Sequence, residues 1–489
     1  MSAPATRRPT LRRPDLKHHP RAVIGLTFFA LYALYAVSRY RQFLTSGYDL
    51  GIFDQAVMHY AHFRPPYVAL KGPNYNLLGD HFHPILVTLA PLYWIWNDPR
   101  TLLIAQAGLV AISVVLVHGF VERHMGRRAA TLAAIGYGLS WPIQGLIDFD
   151  FHEVAFAVPL LVVIIDALDR RRDIQLLAAS AALLLVREDM GLLVVMIAIV
   201  RAFRAPRWPA IVLAIAGPAM YVVATYVVLP HFNPNGEFAY WTYDALGPDL
   251  ISAITAILTR PWDAIALFFT PSVKAVTLAW LFAPLLLLPL RSPYVLLAAP
   301  LLAQRFWSSR YMIWTTELHY SAVVYPILFL AAIDGARRLG VHRNRRFISL
   351  WLAGLIALPA VGIVVDRYMW PFYRIIRPEV VTLTPHMRDQ AAIVAAIPPN
   401  TCIEVDDRLV PQLNRTNLTS VPTHLGHDAD FIALDRSQIE PSFEVGPVAD
   451  VERDVIARGY TKVMERGDLV LYRSPHFRGP DARKCGPIQ

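Results

Sequence analysis

Five short stretches of this chain set ionisable side chains among apolar residues at spacings that chemistry can use. The first reads Gly47-Tyr-Asp-Leu-Gly-Ile-Phe-Asp-Gln-Ala and directly follows an apolar run. Asp49 therefore falls at a membrane–water boundary, just before a predicted helix starting near Leu50. A carboxylate there can act as general base toward a substrate lying in the interface, or cap the helix. Asp54 is the second candidate acid, with a solvated surface position as its plainer reading. The second stretch, Gly79-Asp-His-Phe-His-Pro, carries Asp80, His81 and His83. Two histidines at i and i+2 beside an aspartate can ligate a divalent metal, bind phosphate, or hydrogen-bond within a loop, and the spacing leaves all three open.

The third stretch, Asp148-Phe-Asp-Phe-His-Glu, packs Asp148, Asp150, His152 and Glu153 into six residues between apolar runs. A loop needs one or two polar residues; four ionisable groups at membrane level point to function. In extended backbone Asp148, Asp150 and His152 share one side. The fourth, Arg187-Glu-Asp, either caps a tight turn or lies inside a broken helix. Glu188 and Asp189 then face the cavity of Asp150 and His152, with Arg187 as a partner for one of the acids. The fifth spans 305–320. Arg305, Arg310 and His319 can hold a phosphate through charge-assisted hydrogen bonds. Glu317 and His319 can instead pair locally, and Tyr320 belongs with the Trp and Tyr residues of an interfacial aromatic belt.

Composition defines the scaffold around these groups. Of the 489 residues, 55% are hydrophobic and only 17% charged, and mean hydropathy is +0.39. Soluble chains carry about 25% charged residues, so an ordinary cytosolic enzyme, a disordered chain and a nucleic-acid binder are all disfavoured. The expected fold class is a mainly α, polytopic membrane protein with a small α/β domain at its C-terminal end. Residues 1–21 form a basic tail with Arg7, Arg8, Arg12, Arg13, Lys17 and Arg21, placed on the cytoplasmic side of a cytoplasmic (inner) membrane. A membrane domain is expected over 22–366, with an outer loop at 45–100.

Apolar runs lie near 22–37, with the helix continuing to about 44, and near 84–96, 101–121, 129–147, 152–168, 174–186, 189–203, 209–230, 273–290, 293–305, 319–336 and 347–366. Basic clusters at 123–128, 170–172, 201–207 and 337–346 share the cytoplasmic face only if 84–96 lies along the outer membrane surface. That gives about eleven spans, and it puts every acid- and histidine-rich loop on the outer side, 231–272 included. Residues 367–489 turn polar, with strand-like runs at 401–405, 431–434 and 469–472 and a helical run at 387–397. An odd number of spans puts this domain outside. Cys402 and Cys485 either pair in that oxidising compartment or remain two buried thiols. No Walker A sequence and no Gly-rich dinucleotide turn is present.

In their order, these features resemble membrane glycosyltransferases of the GT-C type over roughly residues 20–370. Tyr48-Asp49 with Asp54 matches the acidic motif after the first span, and His83-Pro84 the start of the interfacial helix. The basic cluster at 123–128 matches the inner end of the second span, and Asp148, Asp150 and Glu153 match the next outer loop. The runs Asp-Leu-Gly-Ile-Phe-Asp-Gln, Gly-Asp-His-Phe-His-Pro, Asp-Phe-His and Arg-Glu-Asp look more closely like a bacterial family of membrane proteins known as a domain of unknown function (DUF2079). The chain departs from the superfamily in reading Asp49-Leu50 where an Asp-Glu pair is usual. The resemblance implies transfer of a sugar from a polyprenyl-phosphate donor to an outer-face acceptor, with membrane lipids and the donor lipid as partners. The competing classes are a small-solute transporter and a non-catalytic assembly partner on the same fold.

Overall fold

The computed structural model describes residues 20–237, 240–442 and 445–485; most of the basic N-terminal tail lies outside them. Helix α1 (Pro20–Arg41) enters the bundle and is followed by a π-helical turn (Gly47–Gly51) that runs into α2 (Ile52–Ala61). The run beginning at Pro84 is a 3-10 segment leading into α3 (Ala90–Ile95). Trp94 and Ile95 are exposed there, 60% and 85%.

By length and hydropathy, four helices among the described residues can cross a membrane, and a fifth if one pair bent by 105° counts as a single span. The expected number, about eleven, is larger because the chain also passes between the two ends of the bundle in shorter and broken pieces. The 39-residue α4 (Arg100–Gly138) is one such case, since Gly126 breaks it with φ 81°. Its halves run back along each other: Ser113 and Tyr137 hydroxyls meet at 3.2 Å, and Phe29 of α1 lies opposite Gly108 while Phe28 lies against Gly138. The hydropathy run near 101–121 is the first half, and the run near 129–147 is the second half together with the following short helix Trp141–Asp148. The segment 272–307 also doubles back. Lys274 donates to the Phe306 carbonyl at 2.7 Å, whereas Ser292 at the bend reaches Asp334 at 2.7 Å. Leu250–Thr259 and Pro261–Phe269 form the bent pair inside the segment expected to be a polar loop. Each is too short to register as a span, and Arg260-Pro261 separates them.

The basic clusters gather at one end. Arg21 pairs with Glu122 and Arg123 with Asp166. His124 reaches Asp169 at 3.0 Å, Arg337 lies 3.8 Å from the same carboxylate, and Arg201 holds Asp173 at 2.8 Å. Helices α6 (Ala157–Arg170), α7 (Asp173–Leu184) and α8 (Met190–Ala202) reach this end through the α6–α7 turn and the end of α8. The turn between α5 (Trp141–Asp148) and α6, at 149–152, and the α7–α8 turn, at 185–189, point to the opposite end, where the acids and histidines are.

The C-terminal part holds a five-stranded sheet of order β2-β1-β3-β5-β4, with β1 (Cys402–Val405), β2 (Leu418–Ser420), β3 (Phe431–Asp435), β4 (Thr461–Arg466) and β5 (Leu469–Arg473). β1 runs parallel to β2 and β3, and β5 runs antiparallel to β3 and β4. Helix Pro385–Ala396 packs on β4 and β5. Cys402 and Cys485 are bonded to each other across 83 residues of sequence. The sheet does not stand apart from the first loop: one hydrophobic core contains Leu50, Phe53 and Val57 together with Ile403, Val410 and Leu413. A Cβ on Gly47 would lie 2.9 Å from both Asp407 Oδ1 and Val410 Cβ, so glycine is what allows the π-helical turn to sit directly on the domain.

Candidate functional site

The last turn of α1 sets the frame. Arg39 reaches Asp150 at 2.6 Å and Asp148 at 3.1 Å. Asp148 also accepts from Arg374 at 2.9 Å and from the Tyr35 hydroxyl at 2.5 Å. The second oxygen of Asp150 accepts from the Ser46 backbone N–H at 2.7 Å. Both aspartates of the Asp-Phe-Asp stretch are therefore occupied in holding α1, the start of the first loop and the turn after α5 together.

The same backbone turn presents the next residues to a different space. Asp150 has φ 53°, a left-handed conformation that aspartate tolerates better than most residues. His152 follows, with Nε2 3.8 Å from Asp49 and Nδ1 2.6 Å from Glu153. Its ring stacks on His319, centroids 3.9 Å apart, and Phe149 packs against His319 at 4.5 Å. Arg187 lies 3.7 Å from Glu153 and grips Asp189 through two bonds of 2.9 and 2.6 Å. Asp49 accepts from the Ser46 hydroxyl at 3.2 Å and keeps 26% of its side chain exposed. Burial pushes its carboxyl up to about 6, with His152 pulling the other way. Burial also opposes ionisation of Glu153, yet His152 and Arg187 outweigh it and hold that carboxyl well below its ordinary range. The Tyr320 ring packs against His319, centroids 4.3 Å apart. Arg310 is exposed and lies 5.9 Å from the Tyr240 ring.

A second cluster adjoins this one. His81 Nδ1 meets Glu188 at 2.8 Å, and the other Glu188 oxygen accepts from the Phe82 N–H at 3.0 Å. Burial works against a charged His81, but Glu188 raises its pKa above the ordinary value. Asp80 accepts from Lys71 at 2.7 Å and from the Tyr240 hydroxyl, and the Tyr240 ring stacks on His81 at 4.3 Å. His83 goes elsewhere: it is buried against Phe53 at 5.8 Å, and burial pulls its pKa down to about 4. The two histidines thus do not converge, and among the described residues no group of three or more His, Cys, Asp and Glu side chains is arranged to hold a metal ion.

Three other sequence candidates stand outside this arrangement. Arg305 is buried and spends its guanidinium on the carbonyls of Ile313 and Thr315 and the Ser321 hydroxyl, bracing the loop that carries Arg310 and His319. Glu317 is exposed. Asp54 is 2% exposed and accepts from the Tyr93 hydroxyl at 2.6 Å and the Asn414 amide at 3.0 Å. It ties α2 to the surface segment and to the C-terminal domain. Asp54→Ala is therefore expected to strand both donors at a cost of about 1–3 kcal/mol for each, seen as a lower unfolding temperature of the detergent-purified protein.

Residues that sequence reasoning missed complete the site. Arg39 reads as one more charge at a helix end. Lys71 and Tyr240 sit in polar loops. Asp407, just after β1, accepts from the Tyr48 N–H at 2.9 Å while its carbonyl accepts from the Gly47 N–H at 2.9 Å. Burial, together with the nearby charges of Asp49 and Asp150, pushes the Asp407 carboxyl up to about 7. Asp407, at the carboxyl end of β1, is thus taken up by the backbone of the π-helical turn.

A helical bundle whose first loop docks on a small sheet defines a polytopic membrane protein with the architecture of the GT-C glycosyltransferases. The chain belongs to the family described as predicted membrane protein (DUF2079), whose profile matches residues 39–471. No curated protein matches it. In fold it is similar to ArnT from Cupriavidus metallidurans, crystallised bound to undecaprenyl phosphate, with 12% identity and a TM-score of 0.53 over 98% of this chain and 100% of that one. The oligosaccharyltransferase of Archaeoglobus fulgidus, in complex with zinc and sulfate, aligns at 11% identity and a TM-score of 0.39 over 91% of this chain and 73% of that one.

Proposed function

We propose that this protein transfers a sugar from a polyprenyl-phosphate donor to an acceptor hydroxyl at the outer face of the cytoplasmic membrane, with its N-terminus inside and its C-terminal sheet outside. The observation that carries this reading is the pairing of a raised, partly exposed acid, Asp49, with His152, on whose ring His319 stacks. A carboxylate with a pKa near the working pH suits a general base. Asp49 takes the acceptor proton as the acceptor oxygen attacks the anomeric carbon. The bond from that carbon to the phosphate oxygen breaks, and polyprenyl phosphate departs with one more negative charge. Arg310, which makes no ion pair among the described residues, neutralises that charge, as fixed cations do for leaving groups. Glu153 positions His152 through Nδ1. The gathering of the basic clusters at the far end supports the orientation, and the structural likeness to a protein holding undecaprenyl phosphate supports the donor class.

The reading is tested with full-length protein in lipid nanodiscs, given polyprenyl-phosphate sugars labelled in the sugar and a cell-envelope acceptor fraction. Label is expected to move to the acceptor with stoichiometric release of polyprenyl phosphate. Absence of transfer from every donor, combined with proton-coupled uptake of a solute by proteoliposomes, would overturn it in favour of a transporter.

A further inference from the structure

A cavity of about 520 Å³ lies on the other side of α1 from Asp49. It is bounded by the end of α1 at Tyr40–Arg41, by Asp98 and Arg100, by the linker at 379–383, and by the C-terminal domain at Arg415. Helix geometry explains why it is separate from the first site. Residues two apart on an α-helix point about 200° apart, so Arg39 faces Asp148 and Asp150 while Arg41 faces this cavity. The volume falls within the usual small-molecule range of about 300–1,000 Å³.

Its charges are unevenly satisfied. Arg100 is held by Asp98 through two bonds of 2.7 Å and lies over the Tyr40 and Trp96 rings at 5.3 and 4.9 Å. Arg41 and Arg415 line the cavity and make no hydrogen bond or ion pair among the described residues. Glu379 is the one acid on the wall besides Asp98. Val380, Val381, Leu383 and Val394 supply apolar lining, beside the polar side chains of Gln42, Thr382, Gln412 and Thr416. The linker beside it exposes Ile376 at 86% and Val381 at 81%, and Ile95 and Trp94 are exposed just before Asp98. Exposed apolar side chains around a mouth place that mouth at a membrane surface. A wall of mixed apolar and polar side chains with two exposed, unpaired guanidinium groups fits an amphiphile with an anionic head, and guanidinium recognises phosphate in particular.

We propose that the cavity between the end of α1 and the C-terminal domain is a phosphate-ester site, separate from the Asp49 pocket, in which Arg41 and Arg415 together grip the phosphate of a membrane lipid headgroup or of a soluble phosphate ester. Because one arginine belongs to α1 and the other to the C-terminal domain, occupancy fastens the domain to the membrane part. The site stands independently of the reaction assigned to Asp49.

The test uses the full chain in nanodiscs of equal phosphatidylglycerol and phosphatidylcholine, with retained lipid counted by native mass spectrometry. Wild-type protein is expected to retain phosphatidylglycerol preferentially. In R41Q/R415Q that preference is expected to fall roughly tenfold or more, the scale of losing charge-assisted contacts. R453Q, which removes an exposed arginine on helix Val448–Ala457, is expected to leave it unchanged. A second measurement needs no variant: arginine modification by phenylglyoxal, mapped by peptide, is expected to slow at Arg41 and Arg415 and not at Arg453 when ligand is present. Protection by phosphatidylglycerol alone identifies a lipid headgroup. Equal protection by glycerol 3-phosphate or inorganic phosphate identifies a soluble ester. Equal lipid retention by wild type and R41Q/R415Q, together with equal modification of Arg41 and Arg415 with and without every phosphate compound, overturns the proposal.

Discussion

Asp49→Asn is expected to cut sugar transfer by about 10²–10⁴, the usual cost of losing a general base, without loss of folded protein. Asparagine keeps the shape of the side chain and can still accept from the Ser46 hydroxyl. The variant is expected to be at least as heat-stable as the wild type, and the sign follows from linkage. Burial raises the Asp49 carboxyl from its ordinary value to about 6. The unfolded chain therefore releases this proton at lower pH than the folded one, and the folded state carries a penalty that grows from the ordinary carboxylate range up to about pH 6 and stays in place above it. An amide does not ionise and is free of that penalty. In the wild type the anion is the reactive form, so the transfer rate is expected to fall about tenfold for each pH unit below about 6 and to level off above it. Asp54→Asn is the contrast: its carboxylate faces Tyr93 and Asn414, and transfer should persist in it. Near-full turnover in Asp49→Asn, with loss in His152→Ala alone, would move the base to the imidazole.

Asp49, His152, Glu153, Arg187, Glu188 and Asp189 stand out in the sequence because ionisable groups between apolar runs are costly unless they serve something. That argument locates charges but cannot say which are structural. Asp148 and Asp150 carried the same signal as His152, yet their partner Arg39 sits a helix away. Asp54 had no visible partner because Asn414 lies 360 residues further on. Asp407 was invisible for the opposite reason: in a polar domain an aspartate after a strand is unremarkable, and only its contact with the Tyr48 N–H gives it meaning. In the sheet, β1, β3 and β5 showed as apolar runs because they are buried, whereas β4 is almost wholly exposed and β2 is three residues long. Neither leaves a periodic apolar trace. The helices Leu250–Thr259 and Pro261–Phe269 were missed because hydropathy windows look for about 20 apolar residues, and these supply half that number on either side of a 105° bend.

The largest loss of stability is expected from Arg39→Met. The Arg39 side chain is 13% exposed, and it neutralises Asp150, whose own side chain is 5% exposed. Removing one partner of a buried pair leaves the other charge uncompensated and costs about 3–5 kcal/mol. Arg374 still reaches Asp148, so the stranded charge is chiefly Asp150. The double variant Arg39→Met with Asp150→Asn is then expected to recover most of the loss, because an amide can still accept from the Ser46 N–H without needing a cation. Thermal unfolding of the four proteins of that cycle, in one detergent, reads the coupling directly. Strict additivity of the two single changes would show that the pair contributes nothing to stability. Activity separates the two roles of this network. Ser46 is hooked to Asp150 through its backbone and donates to Asp49 through its hydroxyl, so the position of the proposed base depends on the ion pair behind it. A double variant that regains its unfolding temperature but not its transfer rate would mean that Arg39 and Asp150 hold Asp49 in register, beyond holding α1 in place.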